Sequence, residues 1–95
     1  MRDGKYAARK SVVIQSRRAK DRKTGISVGF TATKKIGNAV IRNRAKRRLR
    51  ECARQFLPKY GKDGFDYVLI ARKDTPNIKW QQLCKDIEKA LLRLS

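Results

Sequence analysis

The chain has 95 residues, with 26 Lys+Arg against 8 Asp+Glu and no histidine, a formal charge of +18. This length supports one compact domain, and 40% hydrophobic residues provide a modest core beneath a basic surface. The missing histidine excludes Ser-His-Asp and Cys-His nucleophile systems and any His-ligated metal.

Self-repulsion at this charge opposes compaction, so a polyanion that neutralises it stabilises the fold, and nucleic acid is the leading partner class. No apolar run is long enough to span a membrane. The segment Met1–Lys10 has no apolar stretch of the secretory type, and a reducing cytoplasm is expected. Cys52 and Cys84 are too few for a zinc site and fall on apolar helix faces, which reads as two free buried thiols.

In chain order, Ser11–Gln15 is short, β-branched and apolar, and is predicted as a strand. The charged segment from Arg17 to Gly25 is predicted as a hairpin loop. Ile26–Thr33 alternates apolar with small or polar residues, which predicts a half-buried strand with Ile26, Val28 and Phe30 facing the core. Ser27, Gly29 and Thr31 then line the other face, kept shallow by Gly29.

After Asn38 the period changes. Ile41, Ala45, Leu49, Cys52 and Phe56 recur at helical spacing and define a core stripe. Asn43, Lys46, Arg47, Arg50 and Arg54 fall opposite it, with Arg42 and Arg44 on the flanks. Pro58 and Gly61 are expected to end this helix. Phe65–Ala71 is more continuously apolar than the other strands and reads as a central strand. Trp80, Leu83, Cys84, Ile87, Leu91 and Leu94 mark a second amphipathic helix. The fold class is α+β, a small β-sheet packed with helices.

The charge is concentrated: residues 1–54 hold +15 of the +18. A merely solvated helix interleaves the two signs, yet Glu51 is the one acid between residues 24 and 54. An external anion is the natural compensation. Arginine outnumbers lysine on this helix, and its planar fork grips phosphate oxygens in pairs. Lys34, Lys35, Gly37 and Asn38 sit at a strand-to-helix junction, where free N–H groups and the helix dipole favour phosphate. Charge does not separate DNA from RNA, but the scarcity of base-reading polar residues suits a structured RNA recognised by backbone and shape.

The segment Thr33-Lys34-Lys35-Ile36-Gly37-Asn38-Ala39-Val40-Ile41-Arg42-Asn43-Arg44-Ala45-Lys46-Arg47-Arg48-Leu49-Arg50-Glu51 resembles the signature of the bacterial ribonuclease P protein subunit, with its Arg-Asn-Arg triplet. The resemblance extends from Val28-Gly29-Phe30 to Asp66–Arg72 and covers roughly residues 11–94. It implies an α/β sandwich with a left-handed crossover. It also implies a non-catalytic subunit that binds a catalytic RNA and the 5′ leader of precursor tRNA, with Mg²⁺ held mainly by the RNA. Carried onto this chain, the RNA-binding set is Lys34, Lys35, Asn38, Arg42, Asn43, Arg44, Lys46, Arg47, Arg50 and Arg54. The implied leader cleft holds Gln15, Ser27, Gly29, Thr31 and Thr33.

One protein monomer per RNA is expected. Family members usually begin with a further basic helix that lines the cleft, and this chain starts at Met1-Arg2-Asp3-Gly4, after that helix. Tyr6 and Phe30 are its nearest aromatic substitutes, with Phe30 assigned first to the core. Two rival readings remain: a ribosomal or RNA-chaperone protein using the same helix, and a stand-alone nuclease. The second must work with Asp63, Asp66, Asp74, Asp86 and Glu88, which show no paired-metal spacing.

Overall fold

The computed structural model describes residues 4–95, so the start of the chain at Met1–Asp3 lies outside the described residues. Strands β1 (Gly4–Ala8), β2 (Val12–Arg18) and β3 (Ile26–Thr31) come first. A short 3-10 helix (Lys34–Ile36) leads into helix α1 (Ala39–Tyr60), followed by β4 (Phe65–Ala71) and helix α2 (Trp80–Leu94).

The four strands form one mixed sheet in the order β1-β2-β4-β3. Neighbours β1/β2 and β2/β4 are antiparallel, while β3 and β4 run parallel, connected through α1. This corrects the expected hairpin. Arg17 and Arg18 belong to β2, and β3 does not pair with β2 at all, because β4 lies between them. The apolar β4 pairs on both edges, as its composition predicts, and displaces β3 to the margin. Strand β1 is also new. Its sequence Gly-Lys-Tyr-Ala-Ala has little β-branching, so its place in the sheet comes from pairing with β2 rather than from propensity.

Both helices cover one face of the sheet. Val12 and Ile14 on β2 and Tyr67, Leu69 and Ala71 on β4 point into a core closed by Ala45, Leu49 and Cys52 of α1 and by Leu83, Ile87, Ala90, Leu91 and Leu94 of α2. The α1 stripe is rotated from its expected position. Ala53 and Leu57 are buried, Phe56 is half-buried, and Ile41 is 36% exposed in the first turn. At this end of α1 the Ile41 side chain packs against Gly37 of the preceding turn, and full burial begins at Ala45. Pro58 does not end the helix. It sits inside the last turn, and Gly61 closes it by donating its N–H to the Leu57 carbonyl at 2.7 Å. The free Sγ atoms of Cys52 and Cys84 meet across the α1/α2 interface at 3.6 Å.

Candidate nucleic-acid interface

The strand-to-helix junction carries the first part of the site. Thr33 precedes the 3-10 helix, and exposed Lys34 and Lys35 occupy its turn. Gly37 adopts φ +151°, where a Cβ would lie 3.0 Å from the Ile41 side chain, so glycine lets this turn fold tightly onto α1. Asn38 is the N-cap: its Oδ1 accepts the Ile41 N–H at 3.0 Å, which contributes about 1 kcal/mol to the helix start.

Helix α1 presents its charge on two flanks of the buried stripe. Asn43, Lys46, Arg50 and Arg54 project toward the β3 side, and Arg44 and Arg47 toward the α2 side. Among the described residues the one ion pair on α1 is Arg54 to Glu51 at 3.7 Å, which occupies the helix's sole acid. The remaining cations of the helix have no carboxylate partner there.

Two arginines of α1 are partly withdrawn from solvent. Arg48 donates to the Thr75 carbonyl at 2.6 Å and to the Ile78 carbonyl, fixing the loop before α2. Arg42 is half-buried, and its Nε is shielded without an acceptor. Arg50 lies 5.6 Å from the centre of the Phe30 ring, over an apolar groove formed by Ile26, Val28, Ala53 and Leu57. The core assignment of Ile26, Val28 and Phe30 is therefore met only in part: Ile26 and Phe30 are half-buried, and Val28 is 39% exposed. An edge strand packed against one helix leaves this seam open.

The opposite sheet face carries the second part. The register aligns Tyr6, Gln15, Val68 and Gly29 in one row across all four strands. Arg17, Asp66 and Ser27 form the row on one side of it, and Val13, Ile70 and Thr31 the row on the other. Gln15, Ser27, Gly29 and Thr31 thus share one face, and no helix of the described residues covers it. Between Gln15 and Gly29 lies a depression of about 330 Å³, and a Cβ at Gly29 would meet nothing within 4 Å. Thr33 is the exception. Strand β3 ends at Thr31, which puts Thr33 beyond the strand, at the cap of the 3-10 helix.

Tyr6, 70% exposed and directly opposite Gln15, is the aromatic side chain on this face. Phe30 is on the helix-facing side instead. Tyr6 is weakly signalled in the sequence, because a strand of five small or polar residues has no clear period. Arg22 frames the far end of the face, donating to the Phe65 carbonyl at 2.9 Å and to Asp66 Oδ1 at 2.8 Å.

Among the described residues no three His, Cys, Asp or Glu side chains converge, and Glu51 and Asp66 are already paired with arginines. No helix of the described residues is long and apolar enough to cross a membrane.

Comparison with known proteins places this geometry. The model of the Ribonuclease P family matches residues 1–95. The chain is 51% identical over 88 residues to the ribonuclease P protein component of Caulobacter vibrioides, covering 93% of this chain and 59% of that relative. It therefore spans less than two thirds of that protein's length. The corresponding component of Ruegeria pomeroyi is 52% identical over 86 residues, covering 88% of this chain and 69% of the relative.

Among solved structures, the Staphylococcus aureus RNase P protein superposes with a TM-score of 0.78 at 27% identity, over 97% of this chain and 82% of that one. The Thermotoga maritima RNase P protein shares the fold with a TM-score of 0.81 at 24% identity, over 99% and 86% of the two chains. The fold, the basic helix with its capped start and these likenesses agree: the chain belongs to the ribonuclease P protein family.

Proposed function

We propose that this chain binds the catalytic RNA of ribonuclease P through α1 and receives the 5′ leader of precursor tRNA on the open sheet face. The observation that carries this reading is the charge pattern of α1, whose single acid is engaged by Arg54 while two arginine-bearing flanks face solvent. Arg42, Asn43, Arg44, Lys46, Arg47, Arg50 and Arg54 take RNA phosphates along the helix, with Lys34, Lys35 and Asn38 at its start. Gln15, Ser27, Gly29 and Thr31 supply a shallow wall for the leader backbone, and Thr33 stands at its mouth.

In this reading the protein forms no bond with the reacting phosphate. It neutralises phosphates so that two polyanions, the catalytic RNA and its substrate, can approach, and it holds the leader while the RNA cleaves it. Mg²⁺ is held mainly by the RNA and supplies the charge stabilisation of the cleavage step. The protein acts in the cytoplasm as a monomer, one per RNA.

Reconstitution tests this directly. Added to ribonuclease P RNA and precursor tRNA at low Mg²⁺, the chain is expected to enhance release of the leader at the mature 5′ end. No enhancement would overturn the reading, and cleavage by the protein alone would favour a nuclease. If roughly 6–10 phosphates are contacted, affinity for the RNA falls about 10³–10⁵-fold between ~50 and ~200 mM salt. A salt-insensitive complex would contradict the phosphate account.

A further inference from the structure

The indole of Trp80 stands outside the functions assigned so far. Trp80 is the chain's sole tryptophan, opens α2, and leaves 36% of its surface exposed beside the arginines of α1. The Arg48 guanidinium lies 5.9 Å from its ring centre, and Arg48 is itself fixed by the carbonyls of Thr75 and Ile78. The aromatic surface and one adjoining cation are therefore held in place before any ligand arrives. Exposed Arg44 and Arg47 complete a shallow depression of about 480 Å³ with Trp80, Arg48 and Glu51. Glu51, the acid at this rim, is within 3.7 Å of Arg54.

We infer that this depression is a stacking site for an unpaired base of the RNA bound by α1, an inference that rests on the RNA-binding function proposed above. The chemistry favours that occupant. A flat, partly exposed indole, braced by Arg48, offers a π-face that any base can cover, and the exposed Arg44 and Arg47 on the same patch are free to contact the phosphates beside a stacked base. An apolar peptide would have to desolvate three guanidinium groups, and an acidic peptide would satisfy the charges while leaving the indole unused. The site extends the interface from the α1 arginines to the start of α2. It contributes affinity without adding to the salt dependence, since stacking releases no counterions.

The sole tryptophan makes this measurable in the full chain. Titration with ribonuclease P RNA transcribed in vitro is expected to reduce Trp80 emission about twofold or more at saturation and to shield it from acrylamide. Trp80→Phe keeps an aromatic face and should bind within about twofold of the wild type. Trp80→Leu should weaken binding about 5- to 100-fold with an unchanged salt slope. Circular dichroism establishes that the variants are folded; if Trp80→Leu is not, wild-type emission and the Trp80→Phe variant decide.

Tight RNA binding with unaltered emission, or a folded Trp80→Leu variant that binds like the wild type, overturns the stacking site and leaves the phosphate interface standing. Equal quenching by polyglutamate overturns it in favour of an anion or peptide surface. Failure of the wild-type chain to bind the RNA at low salt takes down both readings.

Discussion

Ser11 Oγ donates to Asp86 Oδ2 at 2.6 Å, joining the turn between β1 and β2 to the middle of α2 across 75 residues of sequence. Both side chains are buried. Gln82 donates to the other carboxylate oxygen at 3.1 Å, and Arg9 stands 3.7 Å from that oxygen. Thr75, also buried, donates to the Ser11 carbonyl at 2.5 Å and accepts the Arg72 N–H at 2.8 Å. A polar pin thus fixes α2 to the sheet edge furthest from β3. Asp86→Ala leaves the Ser11 hydroxyl and Arg9 without their partner and should cost about 2–4 kcal/mol in urea unfolding. Ser11→Ala should cost less, because Asp86 keeps Gln82 and Arg9.

Arg42, proposed above to contact RNA, is half-buried, with a shielded Nε that has no acceptor. Replacing a buried unsatisfied donor with an apolar chain of similar length is neutral or favourable to folding. Arg42→Met should therefore leave the melting temperature unchanged or raise it, while weakening RNA binding by about 5- to 20-fold for a lost charge-assisted contact. Arg44→Ala, at an exposed position, should weaken binding with no change in stability. A parallel loss of stability and affinity in Arg42→Met would show that the residue supports the fold instead.

Gly37 holds the turn that aims Lys34 and Lys35. Its φ of +151° and the 3.0 Å approach of the Ile41 side chain both resist a Cβ. Gly37→Ala should destabilise the chain by about 1–2 kcal/mol and lower RNA affinity by displacing the two lysines. Asn38→Ala, which removes the cap alone, should cost about 1 kcal/mol. Comparing the two variants in denaturant and in filter binding separates loss of the cap from loss of the lysine placement.

The two thiols should differ in reactivity. Burial, reinforced by the hydrogen bond with Cys84, pushes the Cys52 thiol well above the ordinary cysteine range. Cys84 is half-buried. Iodoacetamide at pH 8 should modify Cys84 first and reach Cys52 only as fast as the chain opens. Equal labelling rates in the folded protein, read by mass spectrometry of peptides, would contradict the packing of α1 on α2.

Local chemistry was the legible part of this protein. The Asn38 cap, the central place of β4 and the buried Leu83, Ile87, Leu91 and Leu94 of α2 follow from spacing and residue type, whereas Arg42, expected on an exposed flank of α1, is half-buried because the buried stripe is rotated toward it. What depends on distant pairing did not show. The Arg17–Gly25 segment has the composition of a hairpin loop, yet the partner of β2 is β4, and no local signal records that. The β1 strand is too small and polar to declare itself. The alternation of β3 correctly separates Ile26, Val28 and Phe30 from Ser27, Gly29 and Thr31, but cannot reveal that its strand is an edge with a half-filled seam. Trp80 falls on the apolar stripe of α2 by its period but is 36% exposed at the first position of the helix, because helical spacing does not report how far a terminal turn is covered.

The insertion of β4 between β2 and β3 has a kinetic consequence. Because β3 and β4 are parallel neighbours joined through α1, the sheet cannot close until the basic helix has been carried across it. The repulsion among the helix's arginines is therefore expected to raise the barrier to pairing β3 with β4. Sulfate or phosphate ions should accelerate refolding, and not merely slow unfolding, in stopped-flow measurements. That outcome would mean that an anion bound to α1 acts on the route to the fold as well as on its end point.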